Sequence, residues 1–293
     1  MKFILTADLH FQYNTPICRT DNFIETQINK MKWLGELAAK NSATILSAGD
    51  VTHKAREDKQ NEFLNMLLEF LPPMVGIFGN HDVLYHKKEN IYKSTLGILT
   101  STGKYKLLNG TTTLNGHNLH PFNWGEELVD CVKSSGKDIA IWHKMVLAPN
   151  DDLAQFVNGV DSETLLDKYP NYDVILTGDN HKTFVIEKDG RYLVNPGSFM
   201  RITAKQKDFE PSVFIYDTKT GSLEQVKVPI DSNAVSVEHL SAKTDMVDFN
   251  AYIEQIKNKE ELSINFYENV MLKLKQEKIS SLVEEKILSF LEA

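Results

Sequence analysis

The chain has 293 residues, 42% hydrophobic and 25% charged, which is the balance of an ordinary globular protein long enough to bury a full core. Its formal charge of -8 excludes a protein that grips nucleic acid over its whole surface, because such binding needs cationic side chains to neutralise phosphates. Any nucleic-acid contact has to be local or metal-mediated. Two cysteines, Cys18 and Cys131, support neither a disulfide framework nor a cysteine zinc cage and read as reduced thiols. The apolar run before Asp8 is too short for a signal peptide, and no later stretch approaches membrane-spanning length, so a cytoplasmic protein with no membrane role is expected.

Short β-branched and apolar runs alternate with stretches of helical period, which predicts an α/β layered domain. The expected strands are Lys2 to Thr6, Thr44 to Ser47, Met74 to Phe78, Asp138 to Trp142 and Asp173 to Thr177. Between the first two, Phe23, Ile24, Ile28, Met31, Leu34 and Leu37 recur at helical spacing. Phe63, Met66, Leu67 and Phe70 do so between the next two, and both stretches read as core-facing crossover helices. Asn109-Gly110 and Asp189-Gly190 interrupt alternating runs and predict hairpins, since Asn and Gly adopt positive φ at low cost. Pro211 to Asp217 is expected to close the sheet system, with Leu223 to Val228 beside it. The catalytic domain is therefore expected over 1–235. Residues 236–293 carry apolar positions at helical spacing and are expected to form a small helical appendage, either packing on itself and the main domain or docking a partner helix.

Potential metal ligands follow each of the five strands: Asp8 and His10; Asp50; Asn80, His81 and Asp82; His143; then Asp179 and His181. One strand-end Asp or His is usually just hydrogen-bonded, but in open α/β sheets functional groups gather beyond the carboxyl ends of the strands, and five such clusters would meet there. Two divalent ions about 3.5–4 Å apart can clamp a phosphate and activate water if a carboxylate bridges them. Asp50 is the natural bridge. Mixed oxygen and imidazole donors point to Mn, Fe or Zn rather than calcium or thiolate-bound zinc.

In order, the blocks Asp8-Leu9-His10, Gly49-Asp50, Gly79-Asn80-His81-Asp82, His143 and Gly178-Asp179-Asn180-His181 resemble those of the calcineurin-like metallophosphoesterases. The resemblance implies a four-layer β-sandwich flanked by helices. It also implies two sets of metal ligands: Asp8, His10, Asp50 and His181 for one ion, and Asp50, Asn80, His143 and Asp179 for the other. His81 would then protonate the leaving oxygen or stabilise phosphate charge, with Asp82 fixing its ring. Asp179 stands where the family has a histidine; its extra negative charge shifts preference towards harder ions such as Mn or Mg and is expected to weaken or alter the second site.

Gly49-Asp50-Val51-Thr52-His53-Lys54 and Asn195-Pro196-Gly197-Ser198-Phe199-Met200-Arg201 are similar to segments of the SbcD-type nuclease subunits. That similarity implies a DNA exo- or endonuclease of a repair or recombination complex, most simply with Mn, partnered by a coiled-coil ATPase; it leaves homodimerisation open. His53 would contact substrate or pack near the metals. Lys54, Arg56, Arg201, Lys205 and Lys207 make the neighbouring loops basic, either to position a phosphate backbone or as ordinary solvated charges. The alternative functions are a stand-alone phosphodiesterase or phosphatase for a small ester and a non-catalytic scaffold.

Overall fold

The computed structural model describes residues 1–57, 59–151 and 157–240. Residues Met1–Val237 form one compact unit. Its elements begin β1 (Lys2–Thr6), α1 (Phe23–Asn41), β2 (Ala43–Ser47), α2 (Gln60–Phe70), β3 (Met74–Gly76), α3 (Thr95–Ser101) and β4 (Tyr105–Leu107). They continue with β5 (Thr112–Leu114), β6 (His117–Phe122), β7 (Asp138–His143), β8 (Val146–Leu147), β9 (Val160–Asp161), α4 (Leu165–Lys168) and β10 (Val174–Gly178). The last are β11 (Phe184–Lys188), β12 (Arg191–Asn195), β13 (Ser212–Asp217) and β14 (Ser222–Lys227).

Two six-stranded sheets result, in the orders β14-β13-β1-β2-β3-β4 and β11-β12-β10-β7-β6-β5. β1, β2, β3 and β4 run parallel, as do β6, β7, β10 and β12. Side-chain alternation along each strand then builds the layers. Phe3 and Leu5 of β1 meet Ile139 and Ile141 of β7 in the core between the sheets, whereas Ile4 faces Met31, Leu34 and Leu67 of α1 and α2. On the far side of the second sheet, Ala140 and Trp142 pack with Leu165, Leu166 and Tyr172. The expected α/β sandwich of two sheets flanked by helices is the observed one.

α1 begins at the Asn22 cap, whose side chain accepts from Glu25 N, and ends at Ser42 in the left-handed conformation. The turn at Asp189-Gly190 joins the antiparallel β11 and β12, as expected. Asn109-Gly110 differs from expectation. It links β4 of one sheet to β5 of the other, and the hairpin lies one turn later at Asn115-Gly116, both at positive φ. An Asn-Gly pair marks a turn but does not fix which sheet the outgoing strand joins. The tail expected over 236–293 lies, from residue 241 onward, outside the described residues. Among the described residues, no helix is long and apolar enough to cross a membrane.

A buried cationic group closes the first sheet's helical side. Arg19 pairs with Asp21 at 2.8 Å and donates to Arg201 O at 3.1 Å, while Lys30 donates to Phe199 O at 3.0 Å. Burial, with the nearby Arg19 and Arg201 charges, lowers Lys30 to about 7. Its ordinary value is 10.5, so between about 7 and 10.5 the unfolded chain binds this proton more tightly and folding gains stability as pH rises. In thermal unfolding, the advantage of Lys30→Met over the wild type should therefore be greatest at or below pH 7 and shrink as pH approaches 10.5; a pH-independent difference would contradict this.

Candidate metal centre

The ligand-bearing turns stand directly beyond the carboxyl ends of β1, β2, β3 and β10, with His143 as the last residue of β7, and main-chain hydrogen bonds lace the turns together. Asp8 N donates to Gly49 O (3.1 Å), His10 N to Asp50 O (3.0 Å), Phe199 N to Asp8 O (3.0 Å) and Ser198 N to His181 O (3.1 Å). Four expected ligands are held in left-handed backbone: Asp8 (φ 48), His10 (φ 47), Asp50 (φ 51) and Asp179 (φ 82). Such conformations cost of order 1 kcal/mol or more for a non-glycine residue and persist only where the surroundings over-determine them. Here the lacing does so.

Asp50 lies at the centre. Its Oδ1 accepts from His81 N at 2.9 Å, which turns Oδ2 towards both His10 Nε2 (3.8 Å) and His143 Nε2 (3.6 Å). One oxygen thus faces a nitrogen from each expected ligand set, as a bridge requires. His143 Nδ1 lies 2.7 Å from Ala48 O and donates to it, leaving Nε2 as the inward atom, 3.0 Å from Asn80 Oδ1. His10 Nε2 and His181 Nε2 converge to 2.9 Å. The donor atoms of Asp8, His10 and His181, and those of Asp8, Asp50 and His143, each lie within 4.8 Å of one another.

The electrostatics fit a pair of cations. Asp8 and Asp50 are buried, and the ion-pair partners of Asp50 among the described residues are histidines, not Lys or Arg. A buried carboxylate without a full counter-charge is costly. Burial, reinforced by Asp50, pushes the Asp8 carboxyl well up. Burial opposes the charged form of His143, yet the carboxylates of Asp50, Asp8 and Asp179 outweigh it and raise the ring to about 8. His10 is driven well down by burial and the neighbouring histidines, and its Nδ1 is buried without a partner. Divalent ions held among Asp8, His10, Asp50, Asn80, His143 and His181 would relieve both the excess of negative charge and the converging lone pairs.

Asp179 also supports the ligand turns through its main chain. Its main-chain N–H donates to both oxygens of Asp8, at 3.0 and 3.1 Å, and its half-buried carboxyl is raised by burial and by Asp50. Among the described residues, its carboxylate belongs to none of the donor clusters that close within 4.8 Å.

His53, His81 and His10 form a histidine group beside the metal ligands. The His53 and His81 rings stack with centroids 5.3 Å apart, and His10 meets each edge-on. Burial, followed by the charges of His81 and Lys54, lowers His53 to about 4, so its ring is neutral at physiological pH. The expected Asp82–His81 contact is replaced by another arrangement. Asp82 lies fully buried beneath the turn and accepts from Gly79 N (2.9 Å), Thr52 N (3.1 Å) and Val51 N (3.3 Å), because those main-chain donors need an acceptor there. The His81 ring is fixed instead through Nδ1, 2.6 Å from His53 O.

Of the basic residues expected at the substrate, Lys54 and Arg56 are exposed, with Arg56 Nε donating to Lys93 O at 2.8 Å. Arg201 is not available to substrate. It is 1% exposed, and its guanidinium donates to Lys207 O at 2.7 Å and to Asp231 O. Its charge holds two main-chain segments to the domain, a role that sequence proximity to the Pro-Gly-Ser turn does not reveal.

Sequence reasoning missed two supports. Asn195 is fully buried, and its Nδ2 donates to Asn180 O (2.6 Å) and Lys182 O (2.7 Å), gripping the turn that presents His181. Gly79 leaves the room Asp50 occupies: a Cβ there would lie 2.0 Å from Asp50 Oδ1 and 2.6 Å from His143 Cε1. Gly79→Ala should therefore weaken metal binding at least tenfold in calorimetric titration and lower stability by roughly 1–3 kcal/mol, an ordinary overpacking cost; undiminished affinity would show that the turn yields.

No curated protein matches the sequence. Among solved structures, Vps29 of Entamoeba histolytica complexed with zinc is similar at 14% identity, covering 78% of this chain and 100% of that one with a TM-score of 0.34. Vps29 of Cryptosporidium parvum is similar at 17% identity over 77% of this chain and 95% of that one, TM-score 0.35. The family model described as "Calcineurin-like phosphoesterase superfamily domain" matches residues 1–221, spanning every ligand discussed above, and the chain belongs to that superfamily of metal-dependent phosphoesterases.

Proposed function

We propose that this chain is a manganese-dependent DNA exo- or endonuclease subunit, similar to the SbcD-type proteins, that works in a cytoplasmic repair or recombination complex beside a coiled-coil ATPase. The observation that carries the DNA reading is the rim beside the metal centre. The segment following the His81 turn exposes Tyr85 (83%) and Tyr92 (68%) together with Lys87, Lys88 and Lys93. The bond from Arg56 to Lys93 O joins this segment to the loop carrying Lys54. Cationic side chains interleaved with exposed aromatic rings suit a phosphate backbone with accessible bases, and they do so on a chain whose overall charge is negative.

Two divalent ions, when bound, polarise the scissile phosphate and supply an activated water for in-line displacement. The chain's own residues account for the rest. Asp50 holds the two ligand sets at a fixed spacing, and the loop lacing keeps their donors in place before substrate arrives. Because His81 Nδ1–H donates to His53 O, its other ring nitrogen is left to hold or deliver a proton at the leaving oxygen. The neutral His53 ring stacks on His81 and restrains it without adding charge.

His81→Ala should lower turnover by about 10²–10⁴-fold while calorimetry still finds the metals bound; unchanged turnover would remove His81 from the chemistry. To separate nuclease from small-ester enzyme, the manganese-loaded protein is given labelled DNA and a chromogenic phosphate bis-ester, alone and with its ATPase partner. DNA cleavage is the expected result. Turnover of the bis-ester with no cleavage of DNA under either condition would make the protein a stand-alone phosphodiesterase or phosphatase.

A further inference from the structure

The described residues hold another donor cluster away from the hydrolytic centre. His120, Cys131 and Asp138 each offer one ligand atom, and these atoms lie within 4.8 Å of one another. We propose that these three residues form a separate structural site for one thiophilic divalent cation of the zinc type.

The strand register keeps this site distinct. β6 and β7 pair in parallel with Asn118 opposite Asp138 and His120 opposite Ala140. Asp138 begins β7 and His143 ends it, so at about 3.3 Å per residue the two centres lie roughly 16 Å apart along the strand. Cys131 comes from residues 123–137, a stretch with no helix or strand, which lies between the two strands.

His120 and Asp138 are oriented by their neighbours, while the Cys131 thiol donates to Asn171 O at 3.9 Å, a weak contact that ligation would replace. His120 is buried; one ring nitrogen, Nε2, lies 3.2 Å from Asp138 Oδ1, and the other, Nδ1, lies 3.2 Å from Thr111 Oγ1. A hydroxyl at Nδ1 can accept its proton and leave Nε2 with a lone pair for an ion, the second-sphere arrangement typical of ligating histidines. Asp138 uses its two oxygens differently. Oδ2 accepts from Ser134 N (2.9 Å) and Ser134 Oγ (3.0 Å), while Oδ1 faces His120 and Asn118 Nδ2 (3.2 Å). Lys133 Nζ stands 3.6 Å from Oδ2, on the side away from the proposed ligand atom, and is bonded to Asp173 and to Asn171 O.

Access and coordination number also agree. His120 and Cys131 line a cavity of about 460 Å³ together with Asp130 and Tyr172, large enough to admit an ion with a water as fourth ligand, whereas Asp138 is fully buried and does not line it. Sulfur, imidazole and carboxylate donors with a fourth water match the tetrahedral preference of zinc and fit magnesium or calcium poorly. His120 Nε2 and Asp138 Oδ1, 3.2 Å apart, already stand about as close as two donors on one such ion, so the adjustment on binding falls to Cys131. Because the thiolate and not the thiol ligates an ion, uptake releases the Cys131 proton. The ion exchanges for the thiol proton; no oxidant or reductant enters.

Ligation would bind residues 123–137 to β6 and β7. Existing ties hold the two ends of this stretch: Trp142 Nε1 of β7 donates to Glu126 O at 2.8 Å, and Ser134 N donates to Asp138 Oδ2 at 2.9 Å. An ion at His120, Cys131 and Asp138 adds a tie from the middle of the stretch, through Cys131, to both strands.

Cobalt(II) is the probe, titrated into the full-length protein, because a sulfur ligand gives a thiolate-to-cobalt absorption in the near ultraviolet that oxygen and imidazole ligands do not. The wild type should develop this band at one equivalent. It should persist in Asp8→Ala and Cys18→Ser, vanish in Cys131→Ser, and need at least tenfold more cobalt in His120→Ala, with circular dichroism confirming that each variant is folded. Proton release measured during the titration should fall in Cys131→Ser. Absence of the band in the wild type, or its survival in Cys131→Ser, would overturn the proposal.

Discussion

The structure depends on one carboxylate. Asp50 has to present one oxygen to ligands from two separate strand ends, and that requirement governs the backbone around it. A main-chain N–H from the next turn fixes Oδ1, which leaves only Oδ2 to be shared. The room for this comes from Gly79, where a methyl group would occupy the Asp50 oxygen's place. The concentration of buried negative charge and the left-handed φ values of Asp8, His10, Asp50 and Asp179 are costs of this arrangement. The gain is a set of donors already aimed before an ion or substrate arrives.

Much of this was legible in the sequence, for an identifiable reason. Each ligand follows an apolar run by only a few residues, so locating the strands also located the ligands. What could not be read was direction. Asp82 adjoins His81, yet it faces the main-chain donors of Gly79, Thr52 and Val51, because burial and not adjacency determines its partners. Arg201 follows the Pro-Gly-Ser turn but points into the domain towards Lys207 O and Asp231 O. Asn109-Gly110 announced a turn correctly, but the sheet that its outgoing strand joins is a long-range property that no dipeptide contains.

The same contrast explains Asn195-Pro196-Gly197-Ser198-Phe199. Sequence similarity marked the segment, while the structure shows what it does: Asn195 grips the His181 turn, Ser198 N meets His181 O, and Phe199 N meets Asp8 O. The Phe199 carbonyl then accepts from buried Lys30. One residue's two main-chain groups thus join the anionic metal centre to the cationic cluster behind it.

The order of strands in the first sheet has a consequence for synthesis. β1 leaves the ribosome first and can pair with β2 early, but its other neighbour, β13, is made more than two hundred residues later. The carbonyl of Asp8 likewise waits for the amide of Phe199, and His181 waits for Asn195. A growing chain therefore carries Asp8, His10 and Asp50 for most of its translation without a completed centre. The metal centre is thus completed only when the last strands of both sheets have been made.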